Sequence, residues 1–268
     1  MLSFPRSTEK LYYSDTFLYQ TDSLVSKVGK DYVELAATVA YPEGGGQESD
    51  MGTLTLPEGR AIRFIHARKM YGQRANIAGF PDIQIGGVVE HVIHPDDVHH
   101  LASLNTGNAV QIGIDRMRRA QLSLSHTASH LLYLGVGQVR SDALAWTLGC
   151  HIRPDGARFD FGVSRRFTSE EVLAIEQIAN DFVVRGSAVL TYAHPDHIDA
   201  RYWACEGNVL PCGGTHIGNT APIGRIAVRR KSMGAGKERL SCQFDEARFD
   251  VASFHAGSSG AASGGEPS

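Results

Sequence analysis

Two pairs of residues with metal-binding side chains stand far apart in the sequence and restrict how the chain can fold. His126 and His130 lie four residues apart in a segment of good helix formers, and Cys212 and His216 lie four apart in a glycine-rich segment. Residues four apart share one helix face, so two imidazoles can reach one ion at the ~2.0–2.1 Å bond length of zinc. The two pairs together supply three nitrogens and one sulfur, a donor set suited to zinc if the fold brings them together.

Cys212 and His216, the second pair, must converge on one ion in a segment where no helix is predicted. Gly213 and Gly214 let the backbone turn tightly enough for a thiolate and an imidazole to converge. The histidine pair alone is weak support for a metal, because the chain has 12 histidines and a pair of hydrogen-bonded core histidines has the same spacing. The combination of both pairs is far more specific than either one.

Residues from Leu11 to about Ala109 carry the patterns of strands and turns. Apolar and polar residues alternate in 31–42, glycines cluster at 44–46, and further strand patterns follow in 51–70 and 89–115. We therefore predict that residues 1–109 form a small β-barrel domain, with a sandwich as the alternative.

The pattern changes after Asp115. Residues 116–139 offer helix formers over more than twenty positions, and a second helix is predicted between a capping box at Thr168 and Glu171 and a stop at Gly186. Strands are expected around these helices in 144–154, 157–163, 223–231 and 239–245. We predict an α+β fold in which residues 110–250 form a zinc-containing α+β domain and the Gly/Ser-rich tail 251–268 is disordered.

Composition argues against several classes of protein. No apolar run approaches the ~18 residues of a membrane span, and the N-terminus lacks the basic and then apolar order of a secretory signal. We expect no membrane embedding and a cytoplasmic location. Four cysteines in 268 residues do not suggest a disulfide framework, so we expect thiols, some of them metal ligands.

The charge distribution is modestly acidic overall with one basic stretch. A net charge of −3 argues against binding of nucleic acid through the overall charge of the chain. Residues 224–239 carry only one acid among several cations, namely Arg225, Arg229, Arg230, Lys231, Lys237 and Arg239. A solvated strand and turn is an equally good interpretation of this stretch taken by itself.

Three separated stretches resemble, in the right order, the motifs of one family. Residues 41–54 (YPEGGGQESDMGTL) look like its Gly-rich signature and 114–132 (IDRMRRAQLSLSHTASHLL) like its metal helix. Residues 211–224 (PCGGTHIGNTAPIG) and 229–240 (RRKSMGAGKERL) look like its closing motifs. The family is the editing domain of alanyl-tRNA synthetase with its freestanding AlaX-type relatives, and the threonyl-tRNA synthetase editing domain is a more distant cousin. The resemblance covers about Leu11 to Asp245 and is greatest to the longer AlaX form, which retains the barrel.

The resemblance implies a role for each candidate residue. It places zinc ligands at His126, His130, Cys212 and His216. The aminoacyl pocket would be shaped by Gly44, Gly45, Gly46 and Gln47, where the alternative is a tight turn. Thr147 would line that pocket and recognise a serine hydroxyl, although a β-branched residue also suits a strand for packing alone. Arg116 and Arg119 match the family's arginines before the metal helix, and either one can equally be an ion-pair partner.

The implied activity is hydrolysis of the ester in mischarged aminoacyl-tRNA, with Ser-tRNA(Ala) as the expected substrate and Gly-tRNA(Ala) as a second one. Three histidines and one cysteine already fill a tetrahedron, so zinc is expected to position the ester, while metal, Thr147, Gln47 and the ribose hydroxyl together activate water. The tRNA acceptor end would contact Arg229, Arg230, Lys231, Lys237 and Arg239 through its phosphates. We expect a freestanding chain without a stable protein partner.

Three other functions remain open at this point. The first is deacylation of a tRNA carrying a threonyl-type or non-proteinogenic amino acid. The second is a zinc-stabilised tRNA-binding module that does not hydrolyse, and the third is hydrolysis of a small-molecule ester or amide.

Overall fold

The structure is a computed structural model that describes residues 6–249 and Phe254, and it combines helices with strands. Its α-helices are α1 Arg116–Val139, α2 Ser141–Leu144 and α3 Ser169–Arg185. Its strands are β1 Glu9–Lys10, β2 Gln20–Val28, β3 Tyr32–Leu35, β4 Ala37–Thr38, β5 Gly52–Thr55, β6 Ala61–Met70, β7 Gln73–Arg74, β8 Gln84–Ile85, β9 Val88–Ile93, β10 Ala109–Ile114, β11 Thr147–Arg153, β12 Gly156–Gly162, β13 Val189–His194, β14 His197–Cys205, β15 Asn208–Pro211, β16 Arg225–Gly234 and β17 Lys237–Asp245. The predicted α+β class is confirmed.

The N-terminal strands close into a six-stranded barrel in the order β10-β2-β3-β9-β6-β5. All its strand pairs are antiparallel. In β6 the alternation seen in the sequence puts Ile62 and Phe64 inside, while Arg63 and Ile65 face outward. Closure leaves no free sheet edge, so the barrel interpretation is right and the sandwich is not.

The C-terminal part places α1 and α3 against a four-stranded sheet in the order β11-β12-β17-β16. Asp115 caps α1 by accepting a hydrogen bond from the Arg118 amide at 3.0 Å. Both hydrogen bonds of the predicted capping box are present at the start of α3, and Gly186 ends that helix with a φ of 61°. These helix boundaries confirm the sequence prediction.

A three-stranded sheet, β13-β14-β15, completes the C-terminal part and carries the loop with Cys212 and His216. The barrel and this part are joined by the buried ion pair of Arg119 with Asp50, both of whose side chains are fully buried. Backbone hydrogen bonds between the Gly-rich loop and β11 add to the junction, with the Ile152 amide 2.8 Å from the Gly46 carbonyl.

Part of the predicted tail takes part in the core. Phe254 is fully buried, its ring centroid lies 5.2 Å from that of Phe17, and its carbonyl accepts a hydrogen bond from the Gly218 amide at 3.0 Å. The rest of the predicted disordered segment 251–268 lies outside the described residues. Within the described part of the chain, none of the helices has the length and apolar character to cross a bilayer.

Candidate metal centre and its cavity

The fold brings the two predicted pairs of donors into one group. Ligand atoms of His126, His130, Cys212 and His216 all lie within 4.8 Å of one another. Cys212 Sγ lies 3.2 Å from His216 Nε2 and 3.4 Å from His126 Nε2. Donors on a zinc tetrahedron with bond lengths of ~2.0–2.3 Å are separated by about 3.3–3.6 Å. The two separations from Cys212 Sγ are close to this range, and the group as a whole, spread over up to 4.8 Å, could hold a metal ion.

Two glycines allow the segments to approach this closely. A Cβ atom on Gly214 would lie 2.2 Å from the His126 ring, and one on Gly46 would lie 2.3 Å from Cys150 Sγ. Gly46 also has a φ of 84°, which disfavours other residues. The turn around Cys212 and the turn of the Gly-rich loop both require glycine at these points.

A layer of polar side chains sets the protonation of two histidines. Gln47 Oε1 lies 2.7 Å from His126 Nδ1 and also accepts from the Thr215 amide at 3.0 Å. Since Oε1 is an acceptor, His126 Nδ1 carries the proton, and its Nε2 lone pair is free for a metal. Thr127 Oγ1 donates to the Ser123 carbonyl at 2.9 Å, so it accepts from His216 Nδ1 at 3.2 Å, and His216 likewise presents Nε2.

Burial keeps these donors neutral. Desolvation lowers the pKa of His130 to about 3, and it lowers the pKa of His126 and His216 well below the ordinary value, with neighbouring histidines adding to the effect. Burial raises the pKa of the Cys212 thiol to about 12. His130 Nδ1 is buried with no hydrogen-bond partner among the described residues. Neutral imidazoles and an orphaned nitrogen suit a bound cation, which would also stabilise the thiolate.

A cavity of about 600 Å³ opens beside this group. Its wall includes His126, His130 and Cys212, and it lies where the barrel meets the C-terminal part. Such a cavity exposes three of the four donors to a small molecule.

The Gly-rich loop is divided between the cavity and the layer behind the metal donors. Gly44 and Gly45 line the cavity. Gln47 is fully buried and, besides its two bonds as an acceptor, donates from Nε2 to Thr215 Oγ1 at 3.0 Å. Gln47 thus contacts the candidate metal ligand His126.

Other predicted pocket residues lie away from the cavity. Thr147 is exposed at the start of β11, does not line the cavity, and donates its hydroxyl to the Leu144 carbonyl at 2.9 Å. Arg119 forms an ion pair with Asp50, and an ion pair was one of the two interpretations that the sequence allowed for Arg119. The Arg116 guanidinium lies 5.2 Å from the Tyr19 ring centroid. None of these three side chains reaches the cavity in this structure.

The predicted tRNA-binding residues occupy the hairpin of β16 and β17 and fall into two groups. Arg239 pairs with Asp160 at 2.6 Å, and Arg230 pairs with the buried Glu238 at 3.1 Å. The second group consists of three exposed residues, Arg229, Lys231 and Lys237. None of them forms an ion pair within residues 6–249. Only this second group presents unpaired positive charge.

The cavity wall also contains residues that the sequence analysis missed. Ser129 and Tyr133 follow His126 by three and seven positions on α1, so helical spacing is a signal that would have found them. Lys69 and Arg201 come from β6 and β14, and no local pattern in either strand marks them.

Comparison with known proteins finds alanine–tRNA ligases, while no family model matches the chain. The enzyme of Ignicoccus hospitalis is 30% identical over 241 residues, which cover 82% of this chain and 24% of that enzyme. The enzyme of Thermococcus kodakarensis is 30% identical over 264 residues, 91% of this chain and 26% of that enzyme. That of Methanothermobacter thermautotrophicus is 29% identical over 270 residues, 93% of this chain and 28% of that enzyme. The chain thus spans about a quarter of the length of these relatives.

Proposed function

Because the chain belongs to the family of alanyl-tRNA synthetase editing-domain homologues, we propose that it hydrolyses the ester bond of mischarged aminoacyl-tRNA. The observation that carries the proposal is the cavity with His126, His130 and Cys212 in its wall. Its volume of about 600 Å³ accommodates a small amino acid together with a nucleoside. The expected substrate is Ser-tRNA(Ala), with Gly-tRNA(Ala) as a second one.

We propose that the metal is zinc and that His126, His130, Cys212 and His216 hold it, because three imidazoles and a thiolate form a set that zinc prefers. Bound there, zinc would supply positive charge that orients and polarises the ester carbonyl. Support for this assignment comes from the layer behind the donors, in which Gln47 and Thr127 hold two imidazoles in the tautomer that ligation needs.

The chain's own residues would bind the substrate and limit its size. Gly44 and Gly45 leave room beside the metal donors, and the wall formed by Ser129 and Tyr133 would restrict the amino-acid side chain. The substrate contacts of Thr147, Arg116 and Arg119 stay predictions, as does contact of the β16–β17 hairpin with tRNA phosphates.

The wider organisation is part of the proposal. We infer a barrel domain, expected over residues 1–109, and an editing domain, expected over 110–250, with the substrate entering where they meet. The proposed barrel domain extends to Ile114, because β10 pairs within the barrel. The buried junction around Arg119 and the position of the cavity between the two parts support this division. A deacylase of this kind would act where translation takes place, in keeping with the cytoplasmic location expected from the sequence.

A panel of mischarged tRNAs tests the proposal. The protein should release serine from Ser-tRNA(Ala), spare Ala-tRNA(Ala), and contain one zinc per chain by elemental analysis. His130→Ala should lose both zinc and activity, while His99→Ala, at an exposed histidine, should keep both.

Each other outcome of this panel points to a different function. Binding of acceptor stems without release of any amino acid would indicate a tRNA-binding module. Release only from a threonyl-type or non-proteinogenic ester would change the substrate. Activity on free esters alone would exclude tRNA as the substrate.

A further inference from the structure

The cavity has a second, cationic end that the proposed metal chemistry does not use. Alternate residues of β14 face inward, so that Asp199, Arg201 and Trp203 share one side of the strand. The Trp203 ring centroid lies 4.7 Å from that of His130. A strand rises about 3.3 Å per residue, so Arg201 lies about 7 Å and Asp199 about 13 Å along the strand from Trp203.

Two lysines lie against one carboxylate at this end, and Arg201 follows that carboxylate by two positions on the same side of β14. Asp199 Oδ1 bonds the ammonium group of Lys10 and lies 3.8 Å from Lys69 Nζ, while its Oδ2 accepts from the Gly86 amide at 2.6 Å. The side chains of Lys10, Asp199 and Lys69 are 7%, 5% and 22% exposed. Together with Arg201, the cations exceed the carboxylate by two charges.

Arg201 retains most of its hydrogen-bonding capacity. Its Nη2 donates to the Tyr13 carbonyl at 3.1 Å, and its guanidinium carbon lies 4.8 Å from the Tyr13 ring centroid. No carboxylate lies within ion-pair distance of it in the part of the chain that the structure describes. A guanidinium has five N–H donors, so donors remain for a ligand at the cavity wall.

No other carboxylate in the described cavity wall neutralises this excess. Glu43 lines the cavity from the Gly-rich loop, but its side chain is 62% exposed and lies 3.5 Å from His66. Burial, with Lys10 adding to the effect, lowers the pKa of Lys69 to about 8. Partly buried positive charge without a counterion is costly, and an anionic ligand would remove that cost.

We propose that Lys69 and Arg201 bind the phosphodiester on the 5′ side of the terminal adenosine of the RNA substrate. The inference rests on the proposed function, because it takes the metal centre as the position of the ester. With the ester there, the adenosine extends along β14 and its 5′-phosphate meets the cations. This contact holds the substrate at the cavity, in addition to any contact of the β16–β17 hairpin farther along the RNA.

Equilibrium binding of the trinucleotide CCA with a free 3′ end tests the proposal without any hydrolysis. A matched CCA has a neutral methylphosphonate at its last linkage. The wild-type protein should bind the neutral RNA about tenfold more weakly, equivalent to ~1.4 kcal/mol, with a slope of log K against log salt shallower by about 0.7. Lys69→Gln should reduce this preference to about threefold, and the double variant Lys69→Gln/Arg201→Gln should bind the two RNAs equally.

The matched control is Lys30→Gln, which removes an exposed lysine from the turn between β2 and β3 and should keep the tenfold preference. Competition by inorganic phosphate would show that the site also takes the free anion. Equal binding of the two RNAs by the wild-type protein would overturn the inference, even if Lys69→Gln failed to fold. Deacylation with equal binding would refute only this inference, whereas the tenfold preference without deacylation would refute only the proposed function.

Discussion

Replacing Gln47 by methionine should weaken metal binding without removing a ligand. Gln47 is fully buried and makes three hydrogen bonds, from His126 Nδ1, from the Thr215 amide and to Thr215 Oγ1. Methionine is similar in length but accepts only weakly. The His126 imidazole would then lose the group that holds its tautomer and orientation.

The size of the effect follows from what is left unpaired. Two buried donors, His126 Nδ1–H and the Thr215 N–H, lose their acceptor at about 1–3 kcal/mol each, or about 2–6 kcal/mol together. Thr215 Oγ1 loses a donor but still accepts from Ser123 Oγ at 2.9 Å. Loss of such supporting partners lowers metal affinity about 10–100-fold, and the remainder should appear as lower stability of the folded chain.

Two measurements separate the loss of zinc affinity from the loss of folding stability. Competition with a chelator gives the zinc dissociation constant, and denaturant titration of the metal-free protein gives the free energy of unfolding. Gln47→Glu keeps both acceptor positions and should stay within about tenfold of the wild-type zinc affinity. Gln73→Met, at an exposed glutamine, is the matched control and should change neither quantity.

Zinc binding by Gln47→Met within threefold of the wild-type protein would show that Gln47 does not hold the His126 imidazole for the metal. A loss of stability alone would show that Gln47 only packs the junction between the barrel and the C-terminal part.

Other substitutions test the fold and the predicted tRNA surface. Arg119→Met leaves the Asp50 carboxylate buried without its partner and should destabilise the protein by about 3–5 kcal/mol in denaturant titration. Lys231→Glu should weaken tRNA binding and flatten its salt dependence at unchanged melting temperature, whereas Arg239→Glu should also lower the melting temperature, because it breaks an ion pair. Burial lowers the pKa of His91 to about 4, below the ordinary 6.5, so its contribution to stability is present above about pH 6.5 and is lost as the pH falls towards 4. The difference in unfolding free energy between the wild-type protein and His91→Gln should therefore shrink by about 3 kcal/mol between about pH 7.5 and 4, and a constant difference would contradict the assigned burial.

Local features were predictable from the sequence because their causes are local. Asp115, Thr168 with Glu171, and Gly186 bound their helices through hydrogen bonds and backbone angles that involve only neighbouring residues. The spacing of His126 and His130 places both on one face of α1 for the same reason. Alternation predicted the barrel strands but left open whether they close or form a sandwich, because closure depends on pairing between distant strands.

The candidate site shows the same limit at individual residues. The sequence pointed to Gln47 but not to its contact with His126, which spans 79 positions. It left Thr147 open between the pocket and strand packing, and Arg119 open between the substrate and an ion pair. In the folded chain the Thr147 hydroxyl donates to the Leu144 carbonyl, and Arg119 pairs with Asp50. A side chain's local pattern does not specify its partner when the partner lies on another element.

The sequence by itself therefore determined the helices, most strands and the two pairs of candidate metal donors, because spacing and capping act within a few residues. Only the tertiary structure decided which side chains share the cavity, including the assembly of Lys69, Asp199 and Arg201 from two distant strands. No local sequence pattern distinguishes any of these three residues from its neighbours in the strand. Their net positive charge can attract a ligand strongly only where packing brings the three side chains together. Packing also excludes most of the water that would otherwise screen this charge.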